Sequence, residues 1–210
     1  MRKPIPMALL SASSQDSNYH LFLPSVRRQM YERLKRFGYI SARDEWTKEM
    51  YAAVSCGKLQ VPVTPDPVFA FNPNCKDILP SKQEILQKYH LPENYILLSF
   101  LDSRTVSIEW LNQFQTLANK QGVACVALPF PQGMKFQPPL QLEIPSPLLP
   151  LDWYALIKYS MGYIGHNMHP IVSSLHNANP FFSFDNYGIK KLNGSYTNDY
   201  SSKIKHILRL

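Results

Sequence analysis

Glycine is scarce in this chain, 8 residues of 210 against 18 prolines, which implies many extended loop segments. Cysteine is scarcer still. Cys56, Cys75 and Cys125 are odd in number, widely separated and form no C-x-x-C pair. They read as reduced, mostly buried thiols of a cytosolic protein, and no structural metal site is expected from them. Long hydrophobic runs are missing too. The opening MRKPIPMALLSASS has a basic start, but its apolar run is too short for a signal peptide. No stretch approaches the roughly 18 apolar residues of a membrane span, so a soluble protein is expected. There is no internal repeat, no low-complexity tract, no RNA-recognition signature and no zinc-finger spacing, so nucleic acid is not an expected partner.

What is present is ordinary globular composition, 45% apolar and 18% charged, with a net charge of +7. The charge by itself favours anionic partners: phosphorylated metabolites, nucleic acid or an anionic membrane face. It is spread along the chain apart from the stretch Arg27, Arg28, Arg33, Lys35 and Arg36. That basic helix, Pro24 to Phe37, either docks peripherally on anionic lipid or is a solvated helix face.

Short apolar strands alternate with amphipathic helices, the pattern of an α/β domain. YILLSF (95–100) and VACVALPF (123–130) read as buried strands. Between them Ile108, Leu111, Phe114, Leu117 and Ala118 form one helical stripe, closed by Gly122. LQLEI (140–144) is a short strand in a proline-rich loop. A helix over 152–160, strand 161–165, helix 170–177, strand 180–184 and a closing helix over 199–210 follow. Successive units of this length predict a Rossmann-like parallel sheet flanked by helices. The first seventy residues read as the last units of a preceding α/β domain: strand IPMALLSAS, the basic helix, strand 39–44, helix 45–55 and the extended VPVTPDPVF. The expected domains are therefore residues 1–70, a remnant and linker, and residues 71–210.

Ligands of open parallel sheets bind beyond the carboxyl ends of the strands. Those ends carry Asp102, Ser103 and Arg104; Gln132; His166, Asn167 and His169; and Asp185, Asn186, Tyr187 and Lys190. The third set is the most informative. With Pro170 as the first residue of the next helix, His166 and His169 flank a helix N-terminus that favours an anion. An imidazole there either caps the helix and fills space or donates a proton near its ordinary pKa of about 6.5. Trp110 and Trp153 lie on helices and are assigned to the core, as is PFFSF (180–184).

ISARDEWTKEM (40–50), VTPDPVF (63–69) and GYIGHNMHPIVSSLHNANPFFSFDNYGIKK (162–191) together resemble the polysaccharide pyruvyl transferase family, over roughly residues 5 to 210. The resemblance implies a GT-B-like pair of Rossmann-type domains, the first incomplete because the family's glycine-rich opening is absent. It implies phosphoenolpyruvate as donor and a sugar or lipid-linked oligosaccharide as acceptor. The pyruvyl group becomes a ketal on two sugar hydroxyls in cell-wall, capsule or exopolysaccharide biosynthesis. No cofactor or metal is implied, and the expected location is cytoplasmic, at the inner face of the membrane when the acceptor is lipid-linked.

By position, His169 falls on the motif histidine, as acid or donor-phosphate contact. Arg43 falls on the arginine of a strand-to-helix step, to bind donor anion or brace the cleft. Asp66 would be a hinge, and Asp185 and Lys190 would approach the cleft. Asn167 stands where the family has an arginine, which removes a charged contact stronger than a neutral hydrogen bond; His166 or Arg104 would substitute. Two alternatives remain: a GT-B nucleotide-sugar glycosyltransferase, and a truncated non-catalytic homologue.

Overall fold

The alternation of short apolar runs and helices is realised as parallel strands in the computed structural model, which describes residues 5–14, 17–100, 106–129, 139–184, 189–190, 196–197 and 204. The elements group into two compact units, Met1–Pro67 with Asn186–Leu210, and Val68–Asp185. Residues beyond 185, placed with the second domain in the expectation above, thus group with the first.

In the first unit, strand β1 (Ala8–Ala12) pairs in parallel with β2 (Tyr39–Ala42), connected by helix α1 (Pro24–Leu34) and followed by α2 (Glu45–Val54). The register is irregular between Leu9 and Ala12. There Ser11 adopts a left-handed φ of 48°. Hydroxyls pin that bulge: Ser11 N donates to Ser41 Oγ at 2.9 Å, and Ser11 Oγ to the Pro65 carbonyl at 2.8 Å. Asp44 caps α2 by accepting from Thr47 N at 2.7 Å. Leu34, Ile40, Met50, Tyr51, Val54 and Val61 form the core. An antiparallel pair, β8 (Ile189–Lys190) and β9 (Tyr196–Thr197), is also described, as is the buried Ile204; the rest of the expected closing helix lies outside the described residues.

The second unit opens within a 3-10 turn over Pro67–Ala70, where an extended segment was expected, followed by the short helix α3 (Phe71–Cys75). Its sheet is parallel throughout, in the order β5-β4-β3-β6-β7. The strands are β3 (Tyr95–Ser99), β4 (Ala124–Ala127), β5 (Leu142–Glu143), β6 (Tyr163–Gly165) and β7 (Phe181–Ser183). Helices α4 (Lys82–Lys88), α5 (Ile108–Lys120), α6 (Pro150–Tyr159) and α7 (Met168–His176) complete it. The chain builds outward from β3 through β4 to β5, then crosses back to place β6 on the other side of β3. The order reverses between β3 and β6, which is the topological switch point of a Rossmann-like sheet.

Alternation along β3 divides the core. Leu98 and Phe100 pack with Val106, Leu111 and Cys125 on the α5 face, whereas the Tyr95 hydroxyl donates to the Leu156 carbonyl of α6 at 2.8 Å. Leu97, Leu98, Leu111 and Leu156 are each 0% exposed. Burial contributes about 1.5–3 kcal/mol per side chain of this size, more than the ~1 kcal/mol of a helix cap such as Ser107. Three expectations shift. The helix expected from Pro170 starts at Met168, because a proline costs no hydrogen bond anywhere in a first turn. The PFFSF segment is not all core: β7 is the sheet edge and Phe182 is 59% exposed. Cys125 is buried but Cys56 is exposed.

Candidate functional site

A cavity of about 450 Å³ opens over the carboxyl ends of the second unit's strands. Ser99 ends β3, Leu128 and Pro129 follow β4, and Asn167, His169 and Pro170 follow β6. Ser146, Pro147, Leu148, Pro150 and Trp153 bring in the loop before α6 and its first turn. The cavity therefore sits at the switch point between β3 and β6.

Two helices begin at its wall, and neither has a side-chain cap. Leu149 precedes α6, and Asn167, the N-cap of α7, makes no cap hydrogen bond. The other longer helices of this unit are capped: α4 by a capping box of Ser81 and Glu84, α5 by Ser107. Asn167 Nδ2 is buried with no hydrogen-bond partner among the described residues. An asparagine in a favoured cap position that does not cap leaves the helix N-terminus, with its partial positive charge, available to an anion. His169, in the first turn of α7, is exposed and lines the same cavity.

The floor is hydroxylic. Ser99, 2% exposed, lies with its Oγ 2.6 Å from the Tyr163 hydroxyl. Gly165, paired with Ser99 across β3 and β6, makes this possible. A Cβ there would collide with the Tyr163 hydroxyl and the Ser99 carbonyl oxygen.

The first turn of α6 is held from behind. Asp152, 3% exposed, accepts from Lys88 Nζ and from the Tyr89 hydroxyl, each at 2.6 Å. Burial alone would push this carboxyl up; the two hydrogen bonds and the ammonium charge outweigh it and hold it below its ordinary value.

The residues singled out in the sequence fall into distinct places. His169 and Asn167 come together at the cavity. His166 is 5% exposed, with its ring centroid 6.4 Å from that of Phe100, and it is packed rather than cavity-lining. Arg43 belongs to the first unit, where its Nη1 donates to Asp66 Oδ2 at 2.7 Å. Arg104 and Asp185 lie outside the described residues, and of Lys190 only the backbone, in β8, is described. Sequence reasoning missed Ser99 and Trp153. The signal for Ser99 was a hydroxyl closing an otherwise apolar strand. Trp153 was assigned to the core, and helical position alone cannot separate a core indole from one at a cavity wall. The lining combines an imidazole, an amide, a hydroxyl and two uncapped helix N-termini with apolar side chains, a set suited to holding an anion and moving a proton.

Solved structures share this α/β Rossmann-like fold at low identity. The MnaA–UDP complex of S. aureus superposes with a TM-score of 0.50 at 16% identity, covering 85% of this chain and 51% of that one. UDP-GlcNAc 2-epimerase from Neisseria meningitidis, bound to UDP-GlcNAc, gives 0.54 at 16% identity, over 98% and 62%. The UDP-GlcNAc 2-epimerase of Methanocaldococcus jannaschii gives 0.52 at 13% identity, over 98% and 69%. The chain thus spans about half to two thirds of the length of these structures. A search of curated protein sequences finds no match. The polysaccharide pyruvyl transferase family profile, in contrast, matches residues 1–187, nearly the whole chain, and the chain accordingly belongs to the polysaccharide pyruvyl transferase family.

Proposed function

We propose that the chain takes part in transfer of a pyruvyl group from phosphoenolpyruvate to a pair of sugar hydroxyls, with the donor in the second-unit cavity. The observation that carries this reading is the uncapped N-terminus of α7 at the switch point, with Asn167 and His169 on the cavity wall. The donor brings a phosphate and a carboxylate, and an uncapped helix end with amide and imidazole donors matches such oxygens. His169 protonates the vinyl carbon, which becomes a methyl group and leaves an oxocarbenium-like centre. One sugar hydroxyl adds there; the phosphate then leaves with its bonding electrons and the second hydroxyl closes the ketal. One hydroxyl proton replaces that given to the methyl group, and the other ends on inorganic phosphate. Arg43, held by Asp66, is assigned to bracing the turn after β2.

The acceptor belongs to cell-envelope or exopolysaccharide synthesis, and phosphoenolpyruvate places the reaction in the cytoplasm. A lipid-linked acceptor would bring the chain to the inner membrane face, where the exposed Leu21 and Leu23 beside the basic helix α1 suit peripheral contact. No helix among the described residues is long and apolar enough to cross a membrane. The test is phosphate release from phosphoenolpyruvate with a panel of nitrophenyl and lipid-linked sugars. Acceptor-dependent release is expected; hydrolysis independent of every acceptor argues against transfer.

A second reading, a nucleotide-sugar enzyme, is favoured by the apolar side chains of Trp153, Pro147 and Pro150 in the cavity lining, against which a base or sugar ring can pack. Stabilisation by UDP-GlcNAc, with none by phosphoenolpyruvate, selects it.

A further inference from the structure

The hydroxyl pair at the cavity floor has no need to exist for folding. Tyr95 and Leu97, on the same side of β3 as Ser99, are 0% exposed and the strand is apolar up to its last residue. Burying two hydroxyls against one another contributes little beyond the dispersion an alanine and a phenylalanine supply in the same volume. The pair nevertheless requires a glycine at position 165, because the Tyr163 ring lies over that residue to reach Ser99. A constraint on one strand thus serves a contact on the next, at the one edge of the sheet that opens on the cavity.

We infer that Ser99 is a ligand-contacting residue of this site and that Tyr163, packed over Gly165, is its positioning residue. The inference rests on the donor reading above. When Tyr163 donates to Ser99 Oγ, the serine keeps its own hydrogen for a ligand oxygen, so the pair presents one fixed donor to an anion. Ser99 lies on the strand adjacent to the one that delivers Asn167 and His169. The three side chains approach the cavity from both sides of the switch point, as needed to hold a carboxylate or phosphate oxygen against the α7 N-terminus.

Calorimetric titration of phosphoenolpyruvate, and separately of inorganic phosphate, into the full chain tests this, alongside the melting temperature without ligand. Ser99→Ala is expected to weaken phosphoenolpyruvate binding roughly tenfold to a hundredfold, the loss of a hydrogen bond to a charged group, with the ligand-free melting temperature near wild type. Tyr163→Phe keeps the serine and removes one oxygen, so it answers the question even where Ser99→Ala fails to fold. It is expected to weaken binding about threefold to tenfold. Wild-type affinity in both variants overturns the inference and leaves the donor reading standing. A wild-type chain that binds neither probe overturns the donor reading, and this inference with it.

Discussion

Arg43 and Asp66, 23 residues apart in the chain, meet as an ion pair at 2.7 Å with side chains only 16% and 14% exposed. Asp44, the next residue after Arg43, caps α2, so the pair fixes the turn that launches this helix to the segment after Val63, which bridges to Ala42. At such exposure the pair is worth more than a surface bridge and less than a fully buried one. Arg43→Ala and Asp66→Ala are each expected to cost about 1–3 kcal/mol, with the double variant costing little more than either. Chemical denaturation of the three variants checks this coupling; additive losses would mean the two side chains act separately.

Asp152 predicts a pH effect. A carboxyl held below its unfolded value stabilises the fold above pH ~4, and that contribution is lost as pH falls through the lower folded value. Lys88 is half exposed, so the pair is screened on one side. Asp152→Asn is expected to cost about 1–2 kcal/mol at pH 7 and to converge with wild type in acid. Thermal melts at pH 7, 5 and 3 follow it.

Gly165→Ala should be destabilising out of proportion to its size. The new methyl meets the Tyr163 hydroxyl and the Ser99 backbone together, and backbone cannot rotate away. A loss of about 1–3 kcal/mol is expected, read as a melting-temperature drop of roughly 2–4 °C per kcal/mol for a chain of this size.

The thiols separate by environment. Burial pushes the Cys125 thiol up to about 11, while Cys56 is exposed. At pH 8 a thiol-specific reagent should modify Cys56 promptly and reach Cys125 only after unfolding. Fast labelling of Cys125 in the native chain would contradict the core packing described here.

Much of the fold was legible because its signals are local. YILLSF is buried on both faces and reads as a continuous apolar strand, and the stripe of α5 follows helical spacing. Gly122 closes α5 with a φ of 70°, the conformation that glycine adopts without strain. What failed depended on tertiary position. Phe182 has the same sequence character as a core residue, and only the sheet order makes β7 an edge. His166 and His169 were both placed at the start of the same helix; the first directly follows β6 and is buried, whereas the second, three residues on in the first turn of α7, is exposed. Arg43 and Asp66 were assigned separate roles because nothing local pairs residues so far apart. Ser99 was overlooked because it fell inside the expected strand 95–100, whereas the observed strand ends at this residue.

His169→Ala tests the acid directly. The side chain is exposed, so stability should change by no more than about 0.5 kcal/mol, while acceptor-dependent phosphate release falls on the order of a hundredfold or more. Paired melting and turnover measurements separate the two effects. Unchanged turnover would remove His169 from the chemistry.

Everything proposed for this site depends on a small dianion settling beside the imidazole at the start of α7. Proton NMR titration of the histidine ring signals, with and without phosphoenolpyruvate and with His169→Ala to assign the resonance, measures that placement. The account predicts that phosphoenolpyruvate displaces the His169 signal and raises its titration midpoint, because a nearby negative charge favours the imidazolium. A saturating donor that leaves that signal and its midpoint where they were would contradict it.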